Sequence, residues 1–219
     1  MNNTKLEYQK RSNEVELYFK AIELLDKGEC FIHCTDILGN NVSQKIDTEL
    51  TKILKANGFL LLYNLVEATI RNSIDAIFVS MHNSNVTFSG LTESLRKLWI
   101  RQEFKHIDSN EILALTNKIL NNELLTFKAE CINISGNIDA QKIREISRQF
   151  GCNELKDGRD LATIKEKRNK LAHGESTFSE IGKDYTITEL IAFKDNTKKY
   201  LSNVLNEIET YINNKTYIS

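Results

Sequence analysis

Arginine and histidine stand five residues apart at two places in this 219-residue chain, Arg101…His106 and Arg168…His173. The pair is chemically useful. A guanidinium carries a fork of N–H donors that fits a phosphate oxyanion, and an imidazole exchanges a proton near neutral pH. A second polar pair, Glu67 and Arg71, has the i,i+4 spacing of one helix face. Cys30-Phe31-Ile32-His33-Cys34 places three soft ligands in five residues. A zinc site needs a fourth ligand, and Cys131 and Cys152 are isolated, so no metal is expected and buried thiols are the default. His82 has no evident partner, and Trp99 reads as core. There is no glycine-rich phosphate loop and no nucleophile elbow.

The elements that must position these groups are helical. The chain holds no proline and 9 glycines, which is poor punctuation for a many-turned β protein and suits long helices. Its apolar content of 41% and net charge of −1 argue against disorder. Apolar runs are short, the longest, 59–63, ending at Asn64, so no ordinary membrane span is expected. The first residues lack the apolar core of a signal peptide, and the default location is cytoplasmic. Helices are expected over 5–27, 43–80, 90–105, 109–130, 139–150, 158–173 and 186–213. Gly28 closes the first, Ser43 caps the second, and Gly58 marks a bend or break within it. Asp139 and Gly151 bound the fifth. Segment 29–38 fits strand or helix, and 174–185 reads as a polar linker anchored by Phe178 and Ile181. With no internal repeat, the expectation is one all-α bundle over 1–219.

On a helical wheel with Leu161 at zero, Ile164, Leu171 and Ala172 define an apolar stripe on 158–173. Arg168 falls at about −20°, inside that stripe. Asn169 and His173, four residues apart, share its flank, and Gly174 supplies the stop. Two readings fit. Arg168 is a snorkelling side chain beside a histidine that suits the helix dipole, or it faces a functional surface. A guanidinium covered from within the chain needs a carboxylate, with Glu67 the best candidate. Glu67 and Arg71 sit among Leu60, Tyr63, Ile70, Ile74 and Phe78, either as a structural ion pair or as support for a site.

The local sequence separates the two arginine–histidine pairs. Arg168-Asn169-Lys170-Leu171-Ala172-His173-Gly174 has a polar residue after the arginine, small and apolar residues before the histidine, and a closing glycine. It resembles the motif of the HEPN ribonucleases. Arg101-Gln102-Glu103-Phe104-Lys105-His106 lacks that finish and reads as a solvated face. Arg11…Glu14 with Tyr18-Phe19, the stretch Leu62 to Arg71, Gly136-Asn137-Ile138-Asp139 and Ser176-Thr177-Phe178 are similar to the MAE-type HEPN subfamily.

That resemblance implies a helical homodimer whose motifs meet across the interface and cut RNA without metal or other cofactor. Arg168 would hold the scissile phosphate, and His173 would act as base on the 2′-OH or acid on the 5′-oxygen. Asn169 would orient one of them or the phosphate, with Glu67, Arg71 and Tyr63 in support. The implied products are 2′,3′-cyclic phosphate and 5′-OH ends, the implied role a toxin or phage-defence effector with an antitoxin or defence partner. HEPN toxins modified on tyrosine carry that tyrosine two residues after the histidine; here the position is Glu175. Residues 141–173 hold nine Lys/Arg against five acids, which suits a phosphate ligand. Arg144, Arg148, Lys165 and Lys170 are the candidate backbone contacts, although a solvated face explains Arg144 and Arg148 as well. The alternatives are a non-catalytic HEPN-fold module that binds RNA or protein, and a helical partner-binding subunit with no nucleic-acid role.

Overall fold

The computed structural model describes residues 1–25, 27–103, 108–127, 132, 134 and 136–219. Eight helices and one hairpin are found among them. In chain order they are α1 (Asn2–Leu25), β1 (Phe31–Thr35), β2 (Asn41–Lys45), α2 (Thr48–Asn83), α3 (Glu93–Glu103), α4 (Ser109–Leu120), α5 (Ala140–Phe150), α6 (Asp160–Ala172), α7 (Phe178–Lys183) and α8 (Ile187–Asn213). The all-α expectation holds, with one small antiparallel ribbon added.

The chain folds as two compact units, each assembled from separate segments. The first joins 1–7, 67–158 and 200–219, and the second joins 8–66 and 159–199. The first unit buries Trp99 and an aromatic group in which Phe78 stacks on Phe127 at 5.2 Å and meets Phe150 at 5.5 Å. Tyr211 donates to the Phe150 carbonyl at 2.7 Å. Its α5 is amphipathic, burying Ile143, Ile146 and Phe150. The Asp139 carboxylate caps it by accepting from the Lys142 amide, and Gly151 ends it at φ 73°, a left-handed conformation suited to glycine.

In the second unit α1 contributes Val15, Phe19 and Ile22, α2 contributes Phe59, Leu62 and Tyr63, and α6 contributes Leu161 and Ile164, all nearly fully buried. Phe59 meets Tyr185 and Phe193 edge-on, at 4.9 and 5.7 Å. Glu16 on α1 accepts from Lys194 at 2.8 Å and from Lys198, both on α8. Partial burial alone would raise the Glu16 carboxyl, but its two ammonium partners outweigh that and hold it below its ordinary value. A depressed folded-state value gives stability that is present at neutral pH and lost as acid protonates the group. The melting-temperature gap between wild type and Glu16→Gln is therefore expected at pH 7 and should close on acidification below the ordinary value of 4.5. A gap that widens in acid contradicts the sign. The effect is small, because the carboxylate is 41% exposed.

Several expectations need correction. Ser43 is not a cap: it pairs with His33 in the hairpin, and α2 begins at Thr48 behind Asp47, whose carboxylate accepts from the Glu49 amide at 2.9 Å. Gly58 causes no break in α2, because Phe19 fills the space beside it, 3.2 Å from where a Cβ would stand. The linker 174–185 contains α7, started by a reciprocal capping box between Thr177 and Glu180. α4 stops at Leu120, before two asparagines, rather than running to 130. By length and composition α2 is apolar enough to cross a membrane, contrary to the reading of its broken runs; half of its most apolar window is buried within the protein.

Candidate functional site

The groups singled out on 158–173 lie on α6, in the second unit, and the end of that helix determines where they stand. Its C-terminus is a Schellman turn. Gly174, at φ 70°, donates to the Leu171 carbonyl at 3.3 Å, and the Glu175 amide reaches back to Lys170 at 2.9 Å. His173 is consequently the C-cap residue, with an exposed side chain. Its main-chain N–H donates to the Asn169 carbonyl at 2.9 Å.

Leu161, Ile164 and Leu171 are buried as the wheel requires, whereas Ala172 is exposed and does not belong to the stripe. Arg168 is half-buried among them. Part of its cover is aromatic. The guanidinium carbon stands 3.6 Å from the centroid of the Tyr63 ring, which is itself 1% exposed. The negative face of that ring offsets part of the cost of taking the cation out of water. Arg168 Nη1 donates to Asn169 Oδ1 at 2.8 Å. Asn169 therefore touches both neighbours, the arginine through its side chain and the histidine through its main chain.

Charge around α6 is partly committed. Glu166 pairs with Lys170 at 2.9 Å and with Lys167 at 3.4 Å. The hydrogen bond to Glu166 raises the Lys170 ammonium above its ordinary value. Lys167 also stands over the Tyr185 ring at 5.8 Å, and Lys165 is half-buried. Glu166 was not among the residues expected at the site, though its i,i+4 spacing to Lys170 is plain in the sequence.

The other sequence candidates stand on other elements. Glu67 and Arg71, on the part of α2 in the first unit, form an ion pair at 2.9 Å, with Arg71 half-exposed and Glu67 more covered. Arg144 and Arg148 are also in the first unit, on α5; Arg148 pairs with Glu154 at 3.0 Å. Arg101 is exposed in the last turn of α3, and His106 lies outside the described residues. Trp99 is core, as expected.

The default of buried thiols fails at the hairpin. His33 and Cys34 are exposed and, as strand neighbours, point to opposite faces; Cys30 is half-buried. Among the described residues no three His, Cys, Asp or Glu side chains converge as ligands. Cys131 lies outside those residues. Among the described thiols, Cys152 has a strongly altered environment: burial, then Glu207, pushes it up to about 12.

Comparison with known proteins adds the family. The HEPN_MAE_28990-like HEPN model matches residues 3–217, a span that runs through both units. No curated protein and no solved structure matches the chain. Because the match covers nearly every residue, the protein belongs to this MAE-type HEPN family.

Proposed function

We propose that the chain is a metal-independent endoribonuclease that cuts RNA through its own 2′-hydroxyl, leaving 2′,3′-cyclic phosphate and 5′-OH ends. The observation that carries the reading is a ring-stacked, asparagine-bound guanidinium on the helix that ends in an exposed imidazole. In the reaction a bond forms from the ribose 2′-oxygen to phosphorus and the bond from phosphorus to the 5′-oxygen breaks. The 2′-proton must be taken up and the departing 5′-oxygen must gain a proton. Arg168 supplies fixed positive charge where the phosphoryl oxygens become more negative. Asn169 holds that charge in place.

Two imidazoles serve the two proton transfers at once, and α6 carries one. Arg168 and His173 also differ by about 140° around the helix, so they project from different sides of α6. A homodimer with α6 at its interface supplies two arginines and two histidines to one cleft, so that one histidine accepts while the other donates. A toxin or phage-defence role, restrained by an antitoxin or defence partner, fits such an activity.

Purified protein is expected to cleave RNA in excess EDTA and to leave ends that resist ligation until the 2′,3′-phosphate is removed and the 5′-OH is phosphorylated. Loss of cleavage on chelation sinks the mechanism. RNA binding without cleavage, across varied RNAs, favours the non-catalytic module.

A further inference from the structure

We infer that Tyr63 sets the plane of the Arg168 guanidinium, so that the arginine meets a phosphodiester already oriented for a two-pronged grip. The inference rests on the reading of Arg168 as the phosphate-holding group. Arginine ordinarily presents its fork at the end of a long, freely rotating stem, and fixing that stem in the geometry the transition state needs is costly. Here two contacts fix it beforehand. The 3.6 Å separation of Cζ from the ring centroid is a face-to-face distance. A guanidinium pointing an N–H into the ring would hold its carbon roughly 1 Å farther out. The N–H groups therefore spread parallel to the ring, and the bond from Nη1 to Asn169 Oδ1 fixes rotation within that plane.

The platform is itself rigid. Tyr63 is 1% exposed, one turn after the fully buried Phe59 and next to the fully buried Leu62, in the middle of a continuous helix. Tyr63 is thus a positioning residue: it acts through Arg168. Preorganisation of this kind accelerates the chemical step more than it tightens ground-state binding.

Tyr63→Phe keeps the ring, Tyr63→Leu removes it, and pentafluorophenylalanine at position 63 keeps the volume while reversing the charge pattern of its face. Each variant is assayed for melting temperature, affinity for an RNA with 2′-deoxyribose at the cleavage site, and single-turnover cleavage. The Arg168 Nε–Hε signal, identified by its loss in Arg168→Lys, is followed by NMR. Tyr63→Phe should cleave within a few-fold of wild type. Tyr63→Leu and the fluorinated variant should lose on the order of 100-fold in cleavage while binding the deoxy-substituted RNA nearly as before. The Nε–Hε signal should be ring-shifted in wild type and Tyr63→Phe and move to the position of exposed arginines in the other two.

A signal indifferent to the ring, or cleavage and binding that fall together, overturns the inference. If Tyr63→Leu does not fold, the fluorinated variant decides alone. A wild type that never cleaves, yet whose ring-shifted signal responds to the deoxy-substituted RNA only when the ring is intact, rejects the nuclease reading and sustains the positioning role.

Discussion

Arg168→Ala and His173→Ala should each lower RNA cleavage by about 100- to 1,000-fold while helix content and melting temperature stay near wild type. Both side chains sit where removal is structurally tolerable. His173 is an exposed C-cap, and the turn around it is held by main-chain bonds from Gly174 and Glu175. Arg168 leaves behind an apolar stripe and the face of Tyr63, against which an alanine packs. Arg168→Lys should fail nearly as badly as the alanine. An ammonium is a point charge that cannot reproduce a planar stack and a second in-plane hydrogen bond. Arg101→Ala is the control and should cleave normally, its side chain being exposed on α3. Normal cleavage by either α6 variant would place the chemistry elsewhere. Activity per chain should also fall on dilution; a fully active monomer would defeat the composite site even with both residues essential.

Gly182→Ala is expected to be the most damaging small substitution, costing about 3 kcal/mol or more in folding free energy. Gly182 is buried on α7, where that helix lies directly against the main chain of α2. A Cβ there would stand 1.9 Å from the Lys52 carbonyl oxygen and 2.6 Å from its carbon. A side chain could swing aside; a carbonyl within α2 cannot. Relief requires α7 to lift, which would withdraw buried Ile181 and disturb Tyr185, whose carbonyl accepts from Lys55 at 2.6 Å. Thermal unfolding should shift by roughly 10 °C for a chain of this size. Gly174→Ala separates crowding from backbone conformation. It has open space around it and φ 70°, so only the left-handed penalty of about 1 kcal/mol applies. If the two substitutions cost the same, close packing is not what Gly182 provides.

What the sequence made legible was local chemistry. Asp139 and Gly151 bound α5, and Gly174 stops α6, because caps and left-handed turns depend on the residue itself and its near neighbours. Thr177-x-x-Glu180 was equally readable, but six helical residues carry too little periodicity to stand out. The hairpin escaped for a related reason. Its turn signals, Asp36 and Gly39, fall inside a run that alternates too briefly to separate strand from helix, so Ser43 looked like a helix cap. Gly58 and Arg168 illustrate the other limit. What makes a glycine harmless in α2 is a phenylalanine on α1, and what covers the arginine is a tyrosine from a distant helix. Wheel geometry showed that Arg168 needed cover, but a tertiary contact such as the Tyr63 ring lies beyond its reach.

The double attachment of Asn169 ties the fate of the two reactive groups together. Its main-chain carbonyl belongs to the last turn of α6, where it receives the His173 amide, and its side chain holds the Arg168 guanidinium. Helix ends fray one turn at a time, and this is the last turn of α6. When it opens, the imidazole loses its fixed position and the asparagine that steadied the guanidinium swings away in the same event. Under the proposed mechanism, anything that grips or loosens those few residues would act on proton transfer and phosphate contact at once.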